Sequence, residues 1–126
     1  MENRMAMEKI RVLIVDDHLL FSSGVRVLLE QSDQFIVLGE VADGLEGVKR
    51  TESLKPDIVL MDIRMPVMDG VEATRQIVQA GLGTKVLVLT TFDVDEYVFA
   101  APKAGASGLL LKDARPADLL NAIRNV

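Results

Sequence analysis

Five short apolar runs dominate the hydrophobic pattern of this chain, and apolar positions recur every three or four residues between them. Continuous runs rich in Val, Leu and Ile are typical of parallel strands covered on both faces, and the wider spacing is typical of helices that bury one face. The predicted strands are Ile10–Val15, Phe35–Val41, Ile58–Asp62, Lys85–Thr90 and Leu109–Leu111. Their alternation with helices predicts an α/β fold, a doubly wound (βα)5 parallel sheet.

Four of the five helices are predicted from their spacing alone, around residues 21–29, 45–54, 71–78 and 119–123. The fourth helical segment, Asp95–Ala104, contains Pro102. Proline has no N–H and its ring clashes with the carbonyl four residues earlier, here that of Val98, so an interior position costs about 3 kcal/mol or more. Two outcomes are open: a kinked helix, or a loop from Asp93 to about Ala101 with Pro102 starting one short turn.

Composition narrows the possible functions. A length of 126 residues fits one domain, and 49% hydrophobic residues can supply a core even without Trp. The net charge of −5 disfavours nucleic-acid binding by this chain alone, and the absence of Cys excludes disulfides and thiolate metal sites. No apolar run approaches the ~20 residues of a membrane span. Residues 1–8 lack the apolar core of a secretory signal and are interpreted as a disordered lead or expression remnant, so we expect a cytoplasmic protein.

Four of the predicted strands end in a residue that can do chemistry. Asp16 and Asp17 follow the first strand, Asp62 ends the third, Thr90 ends the fourth, and Lys112 follows the fifth. The carboxyl ends of parallel strands share one edge of a sheet, and the order 2-1-3-4-5 groups these four strands around the switch point where ligands bind. The sequence therefore predicts one site built from these side chains.

The chemistry of that site follows from its charges. Three carboxylates packed together repel unless a cation lies among them, and oxygen ligands suit Mg²⁺. Asp62 could then act as a nucleophile toward a phosphoryl group, with Lys112 and Thr90 contacting phosphoryl oxygens. Each residue also has a purely structural interpretation: Asp16 or Asp17 could cap the first helix, Lys112 could be solvated, and Thr90 could be satisfied at its strand end.

His18 follows the acidic pair directly. It could serve as a metal ligand or as a phosphodonor. A residue in this place is more often found on the surface at the start of a helix, and that is the position we expect for it.

Several segments together resemble the receiver domain of two-component response regulators, in particular the NarL/LuxR class of transcriptional regulators. The resemblance extends from Lys9 to Asn125. The matching segments are Val15-Asp16-Asp17-His18, Met61-Asp62-Ile63-Arg64-Met65-Pro66 with Asp69-Gly70, Leu89-Thr90-Thr91-Phe92-Asp93, Ala104-Gly105-Ala106 and Leu110-Leu111-Lys112-Asp113.

The resemblance implies a flavodoxin-like fold for residues 9–126 and phosphotransfer from a sensor histidine kinase to Asp62. It implies Mg²⁺ held by Asp17, Asp62 and the backbone carbonyl of Arg64, with Asp16 helping through water. It also implies that Thr90 and Lys112 are the switch and phosphate-binding residues.

The resemblance also implies partners. It suggests a homodimer that forms or tightens on phosphorylation. We expect its contacts to come mainly from the first and fifth helices, because Pro102 should disturb the fourth helix and Leu109 stands in place of an aromatic residue. Contact with DNA would be made only by a carboxyl-terminal helix-turn-helix domain that lies outside this chain. The protein would be a signalling switch, with only self-phosphorylation and slow autodephosphorylation as its catalysis.

One residue departs from the family pattern, and others argue against two alternative functions. Leu109 stands where the family carries an aromatic switch residue, so a rotamer flip of Tyr or Phe cannot report phosphorylation here. A phosphohydrolase with an aspartyl-phosphate would need an acid two residues after its nucleophile, and that position is Arg64. A flavin- or nucleotide-binding protein would need a Gly-rich phosphate loop after the first strand, where Asp16-Asp17 would repel a phosphate.

Overall fold

A computed structural model of the protein describes residues 9–91 and 96–126, and for residues 96–99 it describes the backbone. The lead predicted at residues 1–8 lies outside the described residues. So do residues 92–95, which include part of one family-like segment and the predicted start of the fourth helix.

Five strands and five helices alternate along the described chain, as predicted. The strands are β1 Ile10–Val15, β2 Phe35–Val41, β3 Ile58–Asp62, β4 Lys85–Thr90 and β5 Gly108–Leu111. The helices are α1 Leu19–Glu30, α2 Gly44–Leu54, α3 Gly70–Gln79, α4 Glu96–Lys103 and α5 Pro116–Asn125. Every strand pairing is parallel and the sheet order is β2-β1-β3-β4-β5, which confirms the predicted topology. Within the described ranges, no helix is long and apolar enough to cross a membrane.

The sheet separates two apolar cores. Successive residues of a strand face opposite sides, so in β1 Leu13 faces one core and Ile14 the other. One core includes Ile77 of α3, and the opposite core includes Leu29 of α1 and Ile123 of α5. Because both faces are covered, all five residues of β3 are buried, down to the carboxylate at its end.

Pro102 lies inside α4, and the alternative of a loop from Asp93 to about Ala101 is wrong. The proline is the last residue but one of the helix, so its missing N–H interrupts the helical hydrogen-bond pattern only at that end. Beyond it, the N–H of Ala104 donates to Ala100 O at 3.0 Å and that of Ala106 to Ala101 O at 3.1 Å. The chain then turns through Gly105, whose φ of 106° favours glycine.

The loop between β3 and α3 is fixed against the end of β3. The N–H of Gly70 donates to Ile63 O at 2.6 Å. A Cβ at Gly70 would overlap the carbonyl oxygen of Asp62, so only glycine permits this approach. Asp69 caps α3, since its Oδ1 accepts from the Glu72 N–H at 2.9 Å. The backbone that follows Asp62 is therefore fixed by its contacts with the start of α3.

Candidate functional site

Side chains from three strand ends meet at one edge of the sheet. Asp62 ends β3 and Asp16 follows β1, and both carboxylates are almost fully buried. Lys112 follows β5, and its Nζ lies 2.7 Å from Asp16 Oδ2 and 3.3 Å from Asp62 Oδ1. The lysine side chain is only 10% exposed, so the alternative that Lys112 is a solvated surface residue is wrong.

The two oxygens of Asp62 have different surroundings. Oδ1 accepts from the Ile63 N–H at 2.9 Å and lies next to Lys112. Oδ2 is buried and has no hydrogen-bond partner among the described residues. Burial, and next the negative charge of Asp16, raise the pKa of Asp62 from 3.8 to about 6, against the opposing effects of Lys112 and Ile63. One carboxylate oxygen is thus left available at a site where negative charge is unfavourable.

This raised pKa predicts a specific dependence of stability on pH. The folded state holds the Asp62 proton more firmly than the unfolded state, so the free energy of unfolding should fall as pH rises from about 4 to about 6. Without divalent ions, Asp62→Asn should remove that fall and stabilise the protein at pH 7 by about 1–2 kcal/mol, after discounting for solvent screening. Urea unfolding across this pH range is the measurement. Exposed Glu52→Gln is the control, and parallel wild-type and Asp62→Asn curves would contradict the prediction.

A cavity of about 240 Å³ opens beside Asp62. It is lined by Asp17, His18, Asp62, Ile63, Arg64, Thr90 and Thr91. Thr90 is buried at the end of β4, and Arg64 lies in the loop after β3. Of the predicted site residues, Asp17, Asp62, Arg64 and Thr90 line this cavity. Asp16 and Lys112 do not line it, but Lys112 Nζ contacts the carboxylates of both Asp16 and Asp62.

His18 is closer to this site than the sequence analysis expected. As predicted, it stands on the surface at the start of α1, with its side chain 61% exposed. Its backbone N–H, however, donates to Asp16 Oδ1 at 2.8 Å, and its ring is turned toward the acids. Nδ1 lies 3.1 Å from Asp16 Oδ1, 3.5 Å from Asp17 Oδ1 and 3.7 Å from Asp62 Oδ2. Only its position next to the acidic pair could have signalled this in the sequence.

His18, rather than either acid, occupies the N-cap position of α1, and no side chain caps that helix. Asp16 Oδ1 serves the turn before the helix, as the acceptor for the His18 N–H. The alternative that Asp16 or Asp17 caps the first helix is therefore wrong.

The arrangement fits a divalent cation. Asp16, Asp17, His18 and Asp62 each offer a ligand atom, and these four atoms lie within 4.8 Å of one another. Asp17 Oδ1 and Asp62 Oδ2 are buried and lack hydrogen-bond partners within the described part of the chain. Carboxylate oxygens are the ligands that Mg²⁺ prefers, and a cation here would offset their mutual repulsion.

Comparison with known proteins decides the family. The sequence pattern of the response regulator receiver domain matches residues 12–124. The chain is a response regulator receiver domain. The receiver domain of a NarL response regulator from Mycobacterium tuberculosis has the same fold, with a TM-score of 0.86 and 35% identity over 94% of this chain and 99% of that one. The flavodoxin-like fold that the resemblance implied is therefore confirmed.

The relatives of this receiver domain belong to the NarL/LuxR type. It is 44% identical over 117 residues to the uncharacterized transcriptional regulatory protein YxjL of Bacillus subtilis, covering 93% of this chain and 54% of YxjL. It is 37% identical over 116 residues to the nitrate/nitrite response regulator NarL of Escherichia coli K12, covering 92% of this chain and 54% of NarL. The receiver domain thus spans about half the length of these curated relatives.

Proposed function

We propose that this receiver domain takes a phosphoryl group from a sensor histidine kinase onto Asp62 and thereby switches a DNA-binding output domain that regulates transcription. The observation that carries the proposal is the buried Oδ2 of Asp62, which has no hydrogen-bond partner among the described residues and lies beside the 240 Å³ cavity. Lys112 and the Ile63 N–H both contact the other oxygen, Oδ1, so the Asp62 carboxylate still has an oxygen free for a new partner.

The transfer follows from this geometry. One oxygen of the Asp62 carboxylate attacks the phosphorus of a phosphohistidine, the P–N bond breaks, and the departing imidazole takes up a proton from water. The product is an acyl phosphate on Asp62, which water hydrolyses slowly. Lys112 Nζ, which lies 3.3 Å from Asp62 Oδ1, would pair with a phosphoryl oxygen, and the hydroxyl of Thr90, which lines the cavity, would donate to another.

A divalent ion would assist this transfer. Mg²⁺ held by Asp17, Asp62 and the Arg64 carbonyl, with Asp16 reaching it through water, would neutralise the carboxylates and attract the incoming phosphoryl oxygens. The residues themselves supply the rest: the fixed backbone around Asp62 orients the carboxylate, and Lys112 balances the charge of Asp16.

Labelling with a small acyl-phosphate donor tests the proposal directly. The receiver domain should gain the mass of one phosphoryl group when Mg²⁺ is present, and far less when the ion is chelated. Intact-mass spectrometry is the measurement. Equal labelling with and without Mg²⁺, or none under either condition, would contradict the proposed chemistry.

Mg²⁺ should also stabilise the fold. Binding to the folded state raises stability by mass action, about 2.7 kcal/mol at a concentration one hundred times the dissociation constant. We expect a higher melting temperature at millimolar Mg²⁺ and loss of most of that gain in Asp17→Asn, because Asp17 Oδ1 is a buried oxygen without a hydrogen-bond partner in the described chain. Thermal unfolding of both proteins is the measurement, and the same gain in both would place the ion elsewhere.

The proposal includes a homodimer that forms through α1 and α5 on phosphorylation. These helices border an apolar groove of about 360 Å³ that includes Phe21, Leu28 and Pro116. At its rim Leu20 is 91% exposed, and its neighbour Leu19 is 66% exposed. Sedimentation before and after acyl-phosphate treatment should show a larger species only after treatment, and Leu20→Ser should weaken it. A dimer unaffected by Leu20→Ser would place the interface on another face.

A further inference from the structure

We propose that His18 is a ligand of the divalent-ion centre and that its imidazole makes the centre prefer first-row transition ions over Mg²⁺. This inference rests on the proposed function, because it concerns the same ion. It adds a nitrogen ligand to a centre that the other residues would build from oxygen alone.

The spacing of the candidate ligand atoms carries the inference. Two ligands bound about 2.1 Å from one ion lie roughly 3.0 Å apart at octahedral angles and roughly 3.4 Å apart at tetrahedral angles. His18 Nδ1 is 3.5 Å from Asp17 Oδ1 and 3.7 Å from Asp62 Oδ2. Small movements would therefore bring all three atoms onto a single ion.

The carboxylate oxygens nearest to the His18 ring also lack hydrogen-bond partners in the described chain, which supports a bound ion. Asp62 is only 5% exposed, and its Oδ2 is buried without a hydrogen-bond partner within the described ranges. Asp17 Oδ1 is likewise a buried oxygen for which the described residues provide no hydrogen-bond partner. Both oxygens face the ring nitrogen of His18. The Nδ1 lone pair and the two carboxylate oxygens could therefore bind one cation placed between them.

Lys112 does not have to leave for such an ion to bind. Its Nζ lies 3.1 Å from His18 Nδ1 but also contacts Asp16 Oδ2 and the other oxygen of Asp62, Oδ1. If the ring turns from the ammonium to the ion, Lys112 keeps both carboxylate contacts. The ion and the lysine can thus use different oxygens of Asp62.

The ligand set determines which ions benefit. Mg²⁺ strongly prefers oxygen ligands and keeps much of its water, so an imidazole adds little to its binding. Imidazole suits Co²⁺, Ni²⁺ and Zn²⁺, whose affinities for mixed nitrogen and oxygen sites also exceed those of earlier divalent ions. His18 would therefore act as a specificity-determining ligand.

Calorimetric titration of the receiver domain with Co²⁺ and with Mg²⁺ tests this preference. His18→Phe should weaken Co²⁺ binding about tenfold or more, a loss typical of removing a residue that supports a metal, while Mg²⁺ binding changes by no more than about threefold. His18→Gln is the second variant, which keeps a polar side chain. Exposed Glu52→Gln controls for ions bound to surface acids and should change neither affinity.

A spectroscopic measurement identifies the ligand itself. His18 is the sole histidine of the sequence, so any imidazole signal belongs to it. In the Co²⁺-loaded protein, proton NMR should show strongly hyperfine-shifted ring resonances that are absent from His18→Phe. Unshifted ring resonances, or equal weakening of Co²⁺ and Mg²⁺ in His18→Phe, would overturn the inference.

The two proposals fail in different ways. If Mg²⁺ binding and labelling of Asp62 persist while His18→Phe leaves Co²⁺ binding unchanged, the role of His18 is wrong and the proposed function stands. If the wild-type protein binds neither ion and Asp62 is not labelled, both are wrong.

Discussion

Asp62→Asn is expected to abolish the phosphoryl mass that the wild-type receiver domain gains from an acyl-phosphate donor. The asparagine amide still accepts from the Ile63 N–H, so the local fold should persist. It has no anionic oxygen to attack phosphorus, however, and it removes a carboxylate from the predicted ion site. The loss should therefore be complete, while circular dichroism and urea unfolding show a folded protein.

Asp113→Asn provides a matched control for this result. Asp113 also follows the end of a strand, one residue after Lys112, but it is exposed. The same chemical change there should leave labelling intact. Labelling of Asp62→Asn at the wild-type level with Mg²⁺ present would refute Asp62 as the acceptor.

Lys112→Ala is expected to destabilise the ion-free protein at pH 7 and to weaken the structural response to phosphorylation. Asp16 and Asp62 would lose the ammonium that lies within 3.3 Å of both. Breaking a buried charge pair costs about 3–5 kcal/mol. Because the lysine is slightly exposed, we expect about 2–3 kcal/mol in urea unfolding, partly recovered when Mg²⁺ is added.

The response to phosphorylation should weaken because the proposed contact between the lysine and the phosphoryl group exists in only one of the two states, so its loss would remove differential affinity between them. Amide NMR spectra recorded before and after acyl-phosphate treatment measure this response. Lys49→Ala, on an exposed face of α2, should change neither stability nor response. A wild-type spectral response in Lys112→Ala would exclude the lysine from the switch.

The strands could be predicted closely from the sequence, because burial on both faces leaves a continuous apolar run. Ile58–Asp62 has the predicted bounds, and all its residues are buried. The fifth strand begins at Gly108, one residue before the prediction, since a glycine adds nothing to an apolar pattern. The loop alternative at Pro102 failed because local propensity does not reveal that the proline falls in the last turn of α4.

From the sequence, only the site residues that lie at the ends of strands could be placed together. Asp16, Asp62 and Lys112 meet because parallel strands bring their carboxyl ends to one edge. The ring of His18 could not be placed in the same way. His18 lies in a local turn in which its backbone N–H donates to Asp16 Oδ1 and its ring approaches the same oxygen, and periodicity does not encode such a turn.

The contact between Lys112 and His18 joins positions 94 residues apart in the chain. β5, which positions the lysine, pairs only with β4 and occupies the edge of the sheet in the described structure. During synthesis from the amino terminus, Asp16 and Asp62 leave the ribosome well before the residue that balances their charge. Non-local parallel pairing is also slow to form. The acidic centre therefore acquires its Lys112 ammonium only when the last strand docks, so a nascent or truncated chain that ends before β5 would carry Asp16 and Asp62 without that counter-charge.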